Sequence, residues 1–317
     1  MILAVDIGGT TCKLGLFDSS LKLVEKWQIP TDTSDEGGNI LKDIHLSFTD
    51  KLSVHKLSFD DCTGAGIGVP GPVDFEAGTV NGAINLNWYG LKDIKKEFEE
   101  MSGVWTIVDN DANLATLGEQ AFGAGQNKDD VVMFTLGTGV GGGVIVNNLL
   151  VHGAGGAAGE VGHIKVAVEE DLKCNCGGTG CLESVASSSG LKNMAAKYHR
   201  EFVPSALDDK ISSGSLDAKT IFEHAENGDS LSLYLVDKMS EYLGIGIGNI
   251  AATLNPSHII LGGGLSQAGE FLRSRILGKF RKYAFPPAVE STDIVFASLG
   301  NDAGIYGAAK IVSQYEK

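Results

Sequence analysis

Basic residues are in short supply. The chain carries 25 Lys and Arg against 40 Asp and Glu, a formal net charge of −15. No basic patch interrupts that imbalance, which argues against nucleic acid or an anionic membrane as partner, since both reward clustered cations. Long apolar runs are missing as well, and no window of about 18 apolar residues could span a bilayer. The N-terminal "MILAVDIGG" has neither a basic leader nor a small-residue cleavage site, so it reads as a first strand rather than a signal peptide. Cysteine is limited to five residues in 317. The expected compartment is the cytoplasm, where thiols stay reduced. No charge run or Ser/Pro-rich linker divides the chain, so any two lobes should share a hinge. A G-x4-G-K-[ST] phosphate loop is absent too.

What is present is glycine, at 43 residues, gathered in short runs. Clustered glycine means tight turns and close backbone approaches, which suits a protein that handles phosphates. Hydrophobic residues make up 43%, enough for a sizeable core in one large or two ordinary domains. The first thirty residues read as strand, turn, strand, turn, strand: "ILAVDI", "GGTT", "CKLGLFD", then "KLVEKWQI". Helical patterns follow near Asn39–Lys51 and Leu91–Met101, with "TGAGIGVPGPVD" a strand running into a loop. "VWTIV" is a buried strand, and "DNDANLATLGEQAFG" opens a helix. The opening pattern then recurs in "VVMFTLGTGVGGGVIVNNLLVHG". This internal repeat suggests two similar lobes with a cleft between them. A long helix near Leu231–Leu254, the strand "HIILGGG" and a closing "LGNDAGIYGAAKIV" complete an α/β pattern of mixed sheets covered by helices.

Two stretches match the dinucleotide fingerprint by letter, Gly66–Gly71 and Gly137–Gly142. That fingerprint needs a helix next, to receive the pyrophosphate at its N-terminus. "GVIVNNLLV" is a hairpin instead. A Gly/Thr hairpin turn can still aim backbone N–H groups and hydroxyls at one anion, and two such turns related by a repeat read as a pair gripping one polyphosphate. "LGGGL" at Leu261–Leu265 would let a flat ring approach the backbone. At the start of the "NDAN" helix, Asp109, Asn110 and Asp111 supply more polar groups than one cap requires, and the surplus suggests substrate contact.

Three cysteines, Cys174, Cys176 and Cys181, lie within "CNCGGTGC". A disulfide knot, a redox centre or a metal site could explain the crowding. Cys-x-Cys thiols pair poorly, and three soft ligands in a Gly-rich loop suit tetrahedral Zn²⁺, which takes four. The nearest fourth ligand is His163 in "GEVGHI". A closed Cys3His set leaves no open position, so the metal would be structural. Cys12 and Cys62 read as small buried hydrophobes.

"DIGGTTCKLG", "GVPGPVD", "NDANLATLGE", "TLGTGVGGG", "GEVGHI", "CNCGGTGCLES", "LGGGL" and "LGNDAGIYGAA" together resemble the ROK family of bacterial sugar kinases, in order and over nearly the whole chain. The resemblance is strongest to the ATP-dependent glucokinases. It implies the two-lobed, actin-like and hexokinase-type ATPase fold, with a duplicated mixed sheet and an interlobe cleft. Residues 1–110 and 300–317 would form one lobe, and 111–299 the other with its zinc loop. By the same resemblance, Asp6, Gly8, Gly9, Thr10, Thr11 and Lys13 belong to a first phosphate loop, with Asp6 near Mg²⁺. Gly137, Thr138 and Gly139 form the second loop, and Gly262, Gly263 and Gly264 lie against adenosine. Asn110, Glu160, His163 and Glu183 would bind sugar hydroxyls, with Gly71 and Asn85 closing the far side. Asp111 would be the general base, and His163, Cys174, Cys176 and Cys181 would hold zinc. "INLNWYG" matches more loosely than the other motifs.

The implied substrates are ATP and a hexose, glucose first, with N-acetylmannosamine as rival. A silent sugar sensor on the same fold is the alternative from another class. Family repressors carry a DNA-binding segment before the first phosphate loop, and here that loop begins at Asp6. The expected assembly is a homodimer.

Overall fold

A computed structural model describes residues 1–316. The strands are β1 (Ile2–Ile7), β2 (Thr11–Phe17), β3 (Leu23–Pro30), β4 (Gly64–Val69), β5 (Val73–Asp74), β6 (Thr79–Asn81) and β7 (Leu91–Asp93). They continue as β8 (Thr106–Asn110), β9 (Val131–Leu136), β10 (Val140–Val146), β11 (Leu149–Leu150), β12 (His258–Gly262) and β13 (Asp293–Phe296). The helices are α1 (Ile40–Val54), α2 (Ile94–Ser102), α3 (Asp111–Phe122), α4 (Glu183–Ala186), α5 (Ser188–Tyr198) and α6 (Asp208–Ser212). After them come α7 (Ala218–Glu226), α8 (Ser230–Leu254), α9 (Gly269–Tyr283), α10 (Pro286–Ser291) and α11 (Ala303–Tyr315).

The repeat seen in two glycine turns extends to whole sheets. One sheet runs β3-β2-β1-β4-β8 and the other β11-β10-β9-β12-β13, the same order twice. In each, the first strand is antiparallel to the second and parallel to the fourth. β1 and β9 are buried along nearly their whole length, so their sequences are apolar almost throughout. β3 lies at a sheet edge and alternates half-buried with exposed positions, as "LVEKWQIP" predicts. The Gly137–Gly142 stretch falls in the β9–β10 hairpin, which removes the dinucleotide reading.

Two expectations are corrected. Leu91–Asp93 is not helical but pairs with β6 in a small sheet ordered β5-β6-β7. The helix starts three residues later, because the Asp93 carboxylate accepts the Lys96 amide at 3.1 Å and caps it. Cys62 is also half-buried rather than fully buried, while Cys12 is buried.

Each large sheet has its own apolar cluster, and a third cluster joins them through Ile2, Ile107, Leu114, Met133, Ile260 and Ile305. Its centre is the crossing of α3 with α11. There the Gly307 Cα faces the Leu114 carbonyl and Gly118 faces that of Ala303, so the two backbones meet without side chains between them. Among the described residues, no helix is long and apolar enough to cross a membrane.

Candidate active site

A cleft with a volume of about 680 Å³ opens between the two sheets. Both hairpins reach it, the first through Asp6 and Lys13 and the second through Gly137 and Gly139. Asp6, Lys13, Gly71, Asn85, Asn110 and Asp111 line it from the first third of the chain, and Gly137, Gly139, Glu160, His163, Glu183 and Gly263 from further on. These twelve residues, picked from motifs scattered over more than 250 positions, therefore converge on one space. Gly8, Gly9 and Thr10 occupy the β1–β2 turn, Thr11 begins β2, and Thr138 is the exposed tip of the β9–β10 turn, but they do not wall the cleft itself. Gly262 ends β12, and Gly264 lines an adjoining cavity of about 270 Å³ against α7.

Asp111 is free for chemistry because its neighbour does the capping. The Asn110 side chain accepts the Ala112 and Asn113 amides at 2.9 and 3.3 Å, and donates to the Gly71 carbonyl at 3.1 Å. Asp111 Oδ1 takes one bond from Ala112 at 2.8 Å, and Oδ2 has no protein partner among the described residues. Burial, with Asp6 and Glu160 adding negative charge, lifts its carboxyl from 3.8 to about 6. A carboxylate with that value is ionised at neutral pH yet is a better proton acceptor than an exposed aspartate. Asp6 pairs with Lys13 Nζ at 3.1 Å at the mouth of the first turn.

The residues expected to face a sugar and the thiol cluster share side chains. His163 Nδ1 lies 3.6 Å from Cys174 Sγ, while Nε2 turns toward Glu160 Oε2 at 3.8 Å. Cys176 and Cys181 stand 3.7 Å apart, and the four ligand atoms all fall within 4.8 Å of one another. That spread fits a tetrahedral ion with metal–sulfur bonds of about 2.3 Å. Lys165 donates to Cys181 at 2.9 Å, and the Gly178 amide helps hold the Cys176 thiol below its ordinary value. Glu183 accepts the Val140 amide at 3.1 Å and the Cys174 thiol at 3.5 Å, so it ties the second turn to the thiol loop. The loop is anchored behind by Glu170. Burial alone would raise that carboxyl, but bonds from Lys197, Tyr198 and Tyr242 bring it down to about 2.

Comparison with known proteins decides what this arrangement belongs to. A family model described as ROK family matches residues 2–315. The chain belongs to the ROK family. It is 42% identical to a glucokinase of Halalkalibacterium halodurans over 98% of this chain and 94% of that one. It is 34% identical to a glucokinase of Thermotoga maritima, over 99% and 97%. A ROK family glucokinase from Streptomyces griseus, solved with glucose and AMPPNP, superimposes with a TM-score of 0.76 at 34% identity, covering 99% of each chain.

The ROK cleft also contains residues the motifs left without a role. Gly300, Asn301 and Gly304 line it from the segment entering α11, and Met133 and Thr135 from β9. Lys219, Phe222 and Glu223 of α7 wall the adjoining cavity. Nothing but amphipathic spacing marks α7 in the sequence, and "GND" was visible without a partner to interpret it.

The raised Asp111 value also has a consequence for stability. A carboxyl whose folded value lies above its unfolded one stabilises the fold fully below about pH 4, and that contribution is lost as pH rises through about 6. That contribution amounts to up to about 3 kcal/mol. Asp111→Asn removes the titration. The variant should therefore melt several degrees above the wild type at pH 8, with the gap closing toward pH 4. Equal melting temperatures at pH 8 would refute the burial argument.

Proposed function

We propose that this chain is an ATP-dependent kinase that transfers the γ-phosphoryl group to the 6-hydroxyl of glucose. The observation that carries the reading is the Asp111 carboxylate, with Oδ2 uncommitted, in a cleft reached by both glycine hairpins. The glucokinases matched along nearly their full length, and the glucose–AMPPNP complex of the Streptomyces griseus enzyme, support the substrate pair. In this reading the lobes divide as residues 1–110 with 300–317, of which Lys317 lies outside the described residues, and residues 111–299, α3 and α11 forming the junction.

Phosphoryl transfer needs in-line placement and neutralised charge more than covalent help. The two turns present backbone donors to the phosphates from opposite sides, and Gly262–Gly264 let adenosine lie close to β12, with α7 as the outer wall. Asn110, Glu160, His163 and Glu183 hold the sugar hydroxyls, and Gly71 and Asn85 close the far side. Asp111 accepts the proton as the primary hydroxyl attacks. Closure of the lobes excludes water, the competing nucleophile. Asp6, a hard oxygen donor beside the first turn, would hold Mg²⁺, which supplies charge neutralisation on the transferred group. His163, Cys174, Cys176 and Cys181 would hold a structural Zn²⁺. That ion would fix the imidazole tautomer so that Nε2 faces the sugar. The same reading includes a homodimer in the cytoplasm, and light scattering of the purified chain measures the first.

Two measurements test this assignment. In an ATP-consumption assay over a sugar panel, kcat/KM for glucose should exceed that for N-acetylmannosamine and fructose by at least about 10²-fold, since unpaired polar groups penalise a wrong hydroxyl pattern. Comparable efficiency with N-acetylmannosamine would overturn glucose and leave the kinase standing. Elemental analysis should find about one zinc per chain. Cys176→Ala should weaken glucose binding more than ATP binding. An active preparation without zinc would sink the metal assignment.

A further inference from the structure

We infer that His152 is a positioning residue for Asp111, joining the sugar-facing loop to the strand end that carries the proton acceptor; the inference rests on the kinase reading above. His152 Nε2 lies 2.7 Å from Asp109 Oδ2, and its ring stacks on Phe75 with centroids 4.1 Å apart and planes 18° from parallel. Asp109 is only 1% exposed. Its Oδ1 accepts the Asn113 side-chain amide at 2.9 Å and the Asn110 backbone amide at 2.7 Å. Among the described residues, His152 is the sole donor to Oδ2, and no Lys or Arg pairs with this carboxylate.

A carboxylate this deeply buried needs its lone pairs met, and each unmet one is costly. Facing an oxygen that has no other donor, Nε2 serves as the donor, which sets the His152 tautomer. The Asp109 carboxylate thereby gathers the end of β8, the first turn of α3 and the loop after β11 at one point. Capping does not explain the network, because Asn110 already caps α3.

The backbone of His152 reaches the other way. Its carbonyl accepts the Ala158 amide at 3.1 Å, closing the loop that arrives two residues later at Glu160. One residue thus grips both the segment bearing Asn110 and Asp111 and the segment bearing Glu160. In a reaction that depends on placement, a misplacement of about 1 Å can cost 10²-fold in rate.

Two variants separate the donor from the packing. His152→Phe keeps a ring on Phe75 and removes the donor, whereas His152→Gln gives up the ring and keeps a donor. The wild-type chain is first assayed for glucose-dependent ATP turnover, and its absence would overturn the kinase reading itself. With that activity present, His152→Phe should lower kcat about 10–100-fold while KM for ATP stays within about twofold. His152→Gln should keep kcat within about threefold of wild type. A His152→Phe enzyme with wild-type kcat overturns the inference. So does a His152→Gln enzyme that loses about tenfold or more, whether or not the Phe variant folds. Phe75→Leu, which removes the stacking partner and leaves the Asp109 bond, should retain kcat, and a loss equal to that of His152→Phe would likewise count against the bond.

Discussion

Asp111→Asn should lower kcat for glucose phosphorylation by about 10²–10⁴-fold, the usual contribution of a positioned general base. Sugar and ATP binding should change little, because Asn keeps the shape of Asp and the Oδ1 bond to Ala112. The loss should therefore fall on kcat rather than KM. The geometry excludes the simplest competing role. A helix-starting Asp is most often a cap, and here Asn110 performs that task. The folded yield should not fall, since burial makes the charged form the less stable one. Stopped-flow turnover with isothermal titration of glucose separates the two quantities. An Asp111→Asn enzyme with full kcat would remove the proton-acceptor role.

Gly307→Val should be close to unfoldable. A Cβ at Gly307 would overlap the Leu114 carbonyl, and a neighbouring Cβ at Gly118 would overlap that of Ala303. Backbone cannot rotate away as a side chain can, so the cost should exceed the roughly 1–3 kcal/mol typical of overpacking. α3 and α11 would have to separate, opening the cluster that joins the sheets through Leu114 and Ile305. Gly307→Ala is the milder probe, expected to lower Tm by at least about 5 °C. An unchanged Tm for Gly307→Ala would show that the crossing has slack.

Local signals announced most of this architecture. The hairpin turns, the central strands and the long helix α8 each carry their pattern within a few residues, and the repeat supplied the relation between lobes. The cleft was legible because its residues sit in glycine-rich or polar motifs that a plain core would not contain. Leu91–Asp93 was misread because a three-residue strand has too little periodicity to compete with the helix beginning next to it. The pairings of Asp109 with His152 and of Glu170 with Tyr242 were invisible for a different reason. Their partners lie 43 and 72 positions apart. Nothing local marks either end, so only the folded chain brings them together.

The placement of α11 bears on how the molecule is made. Ile305, Ala308 and Val312 cover the inner face of the first sheet with Ile2 and Ala4, yet they are translated about 300 residues after β1. At about 5–20 residues per second, ribosomal synthesis leaves that apolar face uncovered for roughly 15–60 s. Most of the second sheet is made in the meantime, its last strand β13 ending only seven residues before α11. The N-terminal half of the nascent chain therefore waits for α11, and during that interval its uncovered face is open to chaperones, proteases and other unfinished chains.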